Sequence, residues 1–292
     1  MFEPSIIFAL ASLVFGGIND FVFKMQANGS GRCGQYLAVV GVVWMTAFSI
    51  PGLIHGVPHI SIVAIKWGII IGFLAVVANY LLIWSLRSLD AGVGVTIYRL
   101  NLLAATIIAI IFLGESLTAT KTFGVIAACV AVLLFSYHKS EHSSSGMRWA
   151  MIVVFLASLM RACVGIGYKL NSRELNALPA AQSAGQAEWF LAVQGVVWLL
   201  VGLIIMRLEG ESQLDHKSLN YGVLSGLLIC GLVWFFNRAM AIGDASVVIP
   251  ISQMSFLATA LLSWGFIKEK FTGLKPFALA ASVAAIFLLS RS

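Results

Sequence analysis

Long apolar runs recur along the whole chain and constrain its fold more than any other feature. A helix needs about 20 mostly apolar residues to cross the hydrocarbon core of a bilayer. Only 10% of the residues are charged, against roughly a quarter in a soluble domain, so most of the surface must face lipid. The sequence predicts an all-α polytopic membrane protein with ten spans, at 5–25, 35–54, 64–86, 92–113, 120–137, 148–169, 184–206, 219–241, 245–267 and 274–290.

The positive charge of the chain does not indicate a nucleic-acid partner. Eighteen Lys and Arg against twelve Asp and Glu give a net charge of +6, but the basic residues lie mostly at span ends. They form no basic stripe with interleaved aromatic residues, and loop charge near the headgroups of membrane lipids explains them.

The four cysteines are far apart and show neither a disulfide framework nor zinc spacing, so we expect no metal and no other cofactor.

The chain contains an internal repeat with a shift of 154 residues. The segment LAVVGVVW at 37–44 returns as LAVQGVVW at 191–198 with a single mismatch. The matched glycine and charged positions are Gly68 with Gly222, Gly72 with Gly226, Asp90 with Asp244, Glu115 with Glu269 and Lys121 with Lys275. We therefore predict one five-helix repeat over 1–137, a polar linker over 138–147 and a second five-helix repeat over 148–292.

The odd number of spans in each repeat determines how the two copies sit in a membrane. Because five spans bring the chain to the opposite side, the second copy enters the bilayer from the other face. The sequence thus predicts two inverted repeats. Inverted repeats of transporters place a binding site near the midplane between the halves and let the halves alternate which side is open.

Two related segments resemble a family signature. AIGDASVVIPI at 241–251 is followed by a span and by IKEK at 267–270, and its first-half partner runs from SLDAGV at 88–93 to LGESL at 113–117. Over nearly its whole length the chain resembles EamA-type transporters of the drug/metabolite transporter superfamily. This resemblance implies a secondary transporter, commonly an exporter of amino acids or other small metabolites, with both termini cytoplasmic. The chain departs from the family pattern at Arg99, which puts a charge in the fourth span.

Two arginines inside predicted spans are the first candidates for solute binding. A charge within hydrocarbon costs at least about 2.5 kcal/mol and almost always faces the bundle interior or a water-filled cavity. Arg161 lies near the middle of the sixth span, and Arg99 lies about two turns into the fourth. The alternatives are a buried structural pair with a carboxylate for Arg161, and an interface position or a pair with Asp20 for Arg99.

Two carboxylates are candidates for proton coupling. Asp20 in the first span can form a simple helical pair with Lys24, four residues on. If Asp20 instead lies beside one of the two arginines and away from water, its protonation responds to bound solute, as coupling requires. Glu188, near the start of the seventh span, is the second candidate, although acidic side chains also favour the first turn of a helix.

Aromatic and amide side chains at equivalent repeat positions predict the walls of a shared cavity. Tyr80 falls on Trp234, and Arg99 falls on Gln253. The further candidates for solute binding are therefore Tyr98, Asn79, Tyr80, Trp84, Trp234, Asn237 and Gln253.

The leading functional hypothesis is alternating-access export of a small amphipathic metabolite, with a location in the bacterial plasma membrane. A lipid-carrier flippase keeps the fold and changes the cargo, whereas a membrane-embedded enzyme would need convergent acid, base, nucleophile or metal groups that the sequence scarcely supplies.

With the N-terminus inside, six Lys and Arg lie on cytoplasmic segments against ten on the opposite loops. The positive-inside rule therefore favours the orientation opposite to the one that the resemblance implies.

Overall fold

The computed structural model describes residues 3–27, 32–55, 59–85, 89, 91–136, 147–211, 213, 215–267 and 273–291. Within these residues, only short connections separate the helices. The helices are α1 Pro4–Ala27, α2 Cys33–His55, α3 Ile62–Ser85, α4 Ala91–Arg99, α5 Asn101–Leu113, α6 Ala119–Ser136, α7 Met147–Asn176, α8 Ala180–Ser183, α9 Gln186–Leu208, α10 His216–Ile242, α11 Ala245–Gln253, α12 Phe256–Ile267 and α13 Lys275–Leu289.

Eight helical segments of the described chain are long and apolar enough to cross a membrane. Two of these segments are interrupted, because one joins α4 to α5 and another joins α11 to α12. The shorter apolar helices Ala119–Phe135 and Pro276–Leu289 occupy the places of the predicted fifth and tenth spans. The predicted all-α polytopic membrane fold is confirmed, whereas the count of ten spans stays a prediction.

The division of the chain into two repeats also stays a prediction. The predicted linker over 138–147 lies outside the described residues apart from Met147, which begins α7. We use "first half" for the described residues up to 136 and "second half" for those from 147 onward.

Contacts between the halves define two ends of the helix bundle. At the terminal end, where α1 begins and α13 ends, the Ser61 N–H donates to Gln186 Oε1 at 2.8 Å and joins the start of α3 to the start of α9. At the distal end, the N–H groups of Gly34 and Gln35 donate to the Glu211 carboxylate at 3.1 and 2.9 Å. Each end of the bundle therefore carries its own set of contacts between the halves.

The repeat-equivalent helices α2 and α9 run antiparallel in direct backbone contact. A Cβ on Gly41 would overlap the backbone nitrogen of Leu199, and a Cβ on its repeat partner Gly195 would overlap that of Met45. The same seam brings Gly34 against Met206 and Gly202 against Ala38. Equivalent helices that cross in opposite directions with exchanged contacts are what two inverted copies require. We call this line of contact the α2–α9 seam.

Substituting Gly41 tests the packing of the seam. We expect Gly41→Val to lower the stability of the protein by about 1–3 kcal/mol, because the added side chain forces the two backbones apart. Thermal unfolding in detergent measures the change. Gly265→Val is the matched control, since no described atom beyond its chain neighbours and its own helix backbone lies within 4 Å of the Cβ position there. Equal unfolding temperatures for the two variants would contradict the seam.

Candidate solute-binding cavity

A cavity of about 330 Å³ lies between the two halves at the centre of the bundle. This volume falls at the lower end of the range of about 300–1,000 Å³ for small-molecule sites. Its lining reaches Tyr36 at the start of α2 and Ile83 at the end of α3, both of which lie toward the distal end. The cavity therefore extends from the middle of the bundle toward the distal end.

Six of the predicted site residues line this cavity, four from the first half and two from the second half. They are Asp20, Asn79, Tyr98, Arg99, Arg161 and Gln253. These residues come from α1, α3, α4, α7 and α11. Helices from both halves thus contribute polar groups to one chamber, and the substrate-binding role of these groups stays a prediction.

Arg99 and Asp20 form the centre of a polar network in the cavity wall. The Arg99 Nη2 donates to Asp20 Oδ2 at 2.9 Å, and the Ser255 hydroxyl donates to the same oxygen at 2.8 Å. The Arg99 side chain is only 14% exposed, whereas that of Asp20 is 40% exposed. The alternative prediction of an Arg99–Asp20 pair is confirmed. The predicted helical pair of Asp20 with Lys24 lies outside the described side chains.

The network also joins the interruptions of the two broken spans. Arg99 is the last residue of α4, and its Nη1 donates to the backbone oxygen of Gln253, the last residue of α11, at 2.8 Å. A carbonyl in the last turn of a helix has no partner within that helix, so the guanidinium satisfies it. Positions 99 and 253 are equivalent in the sequence repeat, so this contact joins equivalent points of the two halves.

Arg161 is the cation of the cavity that has no partner in the described part of the chain. No described residue forms a hydrogen bond or an ion pair with it, so the predicted alternative of a buried structural pair is absent from those residues. The cavity lining holds Asp20 at −1 and Arg99 and Arg161 at +2, which leaves a net charge of +1. Burial strengthens the attraction of such a charge for an anion.

Aromatic side chains form much of the remaining wall. Trp44 and Trp198, which are repeat equivalents, meet across the α2–α9 seam with ring centroids 5.5 Å apart. Tyr168 donates a hydrogen bond to Gln194 Oε1 at 2.9 Å, and both residues line the cavity. Reasoning from the sequence did not select these four residues. The matched segments 37–44 and 191–198 each end in a tryptophan, so the repeat itself was the signal that could have found Trp44 and Trp198.

Comparison with known proteins agrees with the sequence resemblance. The pattern of the EamA-like transporter family matches residues 3–137 and 148–291, which is nearly the whole chain. The chain belongs to the EamA-like transporter family. An uncharacterized protein of Methanocaldococcus jannaschii is 27% identical over 106 residues, covering 36% of this chain and 76% of that protein. A solved crystal structure with 11% sequence identity shares the fold, with a TM-score of 0.82 over 99% of this chain and 98% of its own.

Glu115 of the first signature segment and Asp244, Ala245 and Ser246 of the second lie at the terminal end and not in the cavity. The Glu115 carboxylate accepts hydrogen bonds from the backbone N–H groups of Ala245 and Ser246 at 2.7 and 2.8 Å. Lys121 Nζ lies 2.6 Å from Asp244 Oδ2. In this EamA-like chain, Glu115 and Lys121 of the first half therefore hold the N-terminus of α11 in the second half.

The structure corrects the placement of four predicted wall residues, because Tyr80, Trp84, Trp234 and Asn237 do not line the cavity. In α3 the lining positions are Ala75, Asn79, Leu82 and Ile83, which form one stripe along the helix. Tyr80 and Trp84 point away from this stripe.

In α10, Trp234 and Asn237 lie outside the lining for different reasons. Trp234 packs edge-on against Phe8 at 6.4 Å between ring centroids, outside the cavity. Asn237 lies beyond Val233 and Phe236, closer to the terminal end than the cavity reaches. Its position requires a separate explanation, because the side chain is 7% exposed and its Oδ1 has no partner among the described residues.

Glu188 also lies outside the cavity lining. Its carboxylate lies 3.8 Å from the guanidinium of Arg238, whose side chain is 52% exposed. This long and partly solvated pair supplies a structural explanation for the charge of Glu188. Among the two carboxylates predicted for proton coupling, Asp20 is the one in contact with the cavity.

Proposed function

We propose that this protein is a secondary active transporter that exports a small metabolite with an anionic group, such as an amino acid or a related amphipathic compound, by alternating access. The observation that carries this proposal is Arg161, a cation without a described partner in a cavity shared by both halves. A guanidinium binds a carboxylate through two parallel hydrogen bonds, which gives both affinity and orientation. The family match supports transport, and the family resemblance supports export across the bacterial plasma membrane.

The cavity also offers an acceptor for a cationic group of the solute. Every described hydrogen bond to Asp20 reaches Oδ2, so Oδ1 can accept a hydrogen bond from an ammonium group. Arg161 and Asp20 together would bind the two charges of a zwitterion. The aromatic wall at Trp198 and Phe236 would cover an apolar side chain of the same solute. This arrangement favours a compact amphipathic zwitterion over a strongly polar one.

Proton coupling is proposed at Asp20. A proton on its carboxylate would remove the negative charge that holds Arg99 at 2.9 Å. Arg99 would then release the backbone oxygen of Gln253 or draw an anionic solute toward itself. Because Arg99 links the interruptions of two spans from opposite halves, this one protonation acts where the halves meet.

A binding screen with matched compounds tests the proposal. Each amphipathic amino acid is compared with its amide, which lacks the carboxylate, and with its N-acetyl derivative, which lacks the ammonium group. Ligand at about 100 times its Kd stabilises a folded protein by about 2.7 kcal/mol, which a thermal-shift assay detects. We expect the parent amino acid to give the largest shift and the amide to give none. Equal shifts from the acid and the amide would contradict an anion site at Arg161.

A further inference from the structure

A set of hydrogen bonds and one ion pair joins the two halves at the terminal end of the bundle. Glu115 is 8% exposed and accepts the N–H groups of Ala245 and Ser246, while the 2% exposed Lys121 pairs with Asp244. We call these five residues the terminal seal. Glu115 and Lys121 belong to the first half and the other three to the second half, so separating the halves at this end must break these bonds.

A row of buried polar groups lies between the cavity and the terminal end. Asn171 is one turn beyond the cavity residue Tyr168 in α7, and Asn237 is one turn beyond Val233 in α10. The third member, Ser246, lies two turns from Gln253 in α11. Their spacings of three, four and seven residues place them on the same helix faces as the residues that line the cavity.

These three polar side chains are buried without partners. Both side-chain polar atoms of Asn171, the Oδ1 of Asn237 and the Oγ of Ser246 make no hydrogen bond within the described chain. Asn171 and Ser246 are fully buried, and Asn237 is 7% exposed. A buried polar group without a partner is costly, and natural proteins keep few of them. Water entering from the terminal end would satisfy all three groups.

We propose that the terminal seal is a gate and that Asn171, Asn237 and Ser246 line a path from the cavity to the terminal end, which the gate closes in this conformation. This inference rests on the proposed transport function and assigns residues to one of its steps. When the seal opens, the path is wetted and a solute held at Arg161 can leave toward the terminal end. The α2–α9 seam stays closed, because its backbones are in direct contact.

Cysteine labelling at Ser246 tests this gate. In a chain whose four cysteines, Cys33, Cys129, Cys163 and Cys230, are replaced by alanine, Ser246→Cys is treated with a membrane-impermeant maleimide from each side of oriented vesicles. We expect slow labelling from the terminal side. Glu115→Gln or Lys121→Met should raise that rate about tenfold, which corresponds to about 1.4 kcal/mol in the opening equilibrium.

A matched substitution controls for the loss of a helix-capping carboxylate. Glu211 accepts two backbone N–H groups of α2 across the halves at the distal end, as Glu115 does for α11 at the terminal end. Glu211→Gln should leave the labelling of Ser246→Cys unchanged. Ala128→Cys, a fully buried position away from the path, should remain unlabelled in every variant.

Three outcomes would overturn the gate: equal labelling in the parent and both seal variants, an equal increase in Glu211→Gln, or labelling of Ala128→Cys, which would indicate general loosening. The assay needs no solute. If the seal variants raise labelling while no amino acid is bound or moved, the gate holds and the proposed substrate class fails.

Discussion

Replacing Arg161 with alanine is expected to weaken binding of a carboxylate solute by roughly 30-fold to several-thousand-fold, because truncating one partner of a buried charge pair costs about 2–5 kcal/mol. Arg161→Lys should lose less, since a lysine keeps the charge but not the two parallel hydrogen bonds. Isothermal titration of the purified protein with the best ligand of the thermal-shift screen measures both losses.

The matched control for this prediction is Arg238→Ala. Arg238 is also an arginine of the second half, but its side chain is 52% exposed and pairs with Glu188 outside the cavity. We expect its removal to change the Kd less than twofold, because it does not line the site and exposed ion pairs contribute about 0–1 kcal/mol. If Arg238→Ala weakens binding as much as Arg161→Ala, the anion does not bind in the cavity.

Removing the carboxylate of Asp20 is expected to destabilise the protein by about 3 kcal/mol, because it leaves the buried charge of Arg99 without compensation. The 14% exposure of Arg99 makes this loss larger than that for a surface pair. Thermal unfolding of Asp20→Ala measures it. Glu174→Gln is the control, since its bond to Lys66 joins side chains that are 41% and 45% exposed and should contribute less than about 1 kcal/mol.

A second substitution separates lost charge pairing from lost packing. In Asp20→Asn/Arg99→Gln the uncompensated charge is gone, so we expect the double variant to regain most of the stability that Asp20→Asn alone loses. The interaction energy of the double-mutant cycle should therefore be about 1–3 kcal/mol. Simple additivity of the two single losses would contradict a direct pair between Asp20 and Arg99.

Much of the fold could be predicted because the bilayer imposes simple rules on the sequence. The apolar runs predicted the helices, and the interruptions at Leu100 and at Met254-Ser255 fall inside predicted spans. The repeat at 37–44 and 191–198 predicted equivalent helices, and α2 and α9 pack directly on each other and run in opposite directions. The helices at the fifth and tenth predicted spans, Ala119–Phe135 and Pro276–Leu289, are shorter than a full span, so their length alone does not predict that they cross the bilayer.

The charged residues of the cavity could be predicted, whereas its aromatic wall could not. Asp20, Arg99 and Arg161 stand out in the sequence because a charge within hydrocarbon is costly wherever its helix points. A tryptophan carries no such penalty, so whether Trp44 or Trp84 faces the cavity depends on the rotation of its helix. Close glycine contacts of α2 and of α3 with α9 set these rotations, and they are known only from the structure.

The roles of the signature residues also required the structure. From the sequence, Glu115 and Asp244 identified a family resemblance and two matched positions of the repeat, but no role. In the structure, Glu115 binds the N-terminus of α11 from the opposite half at 2.7 and 2.8 Å, where the helix dipole favours a negative charge. Contacts between residues 130 positions apart cannot be read from local pattern.

Solute counterflow in proteoliposomes tests the central claim most directly, namely that the cavity around Arg161 is the transport site shared by the two halves. Vesicles loaded with unlabelled amino acid receive a trace of the labelled compound outside. We predict that the wild-type protein and Arg238→Ala accumulate label transiently above its equilibrium level, and that Arg161→Ala does not. Counterflow by Arg161→Ala at the wild-type rate, with the variant folded, would contradict the account.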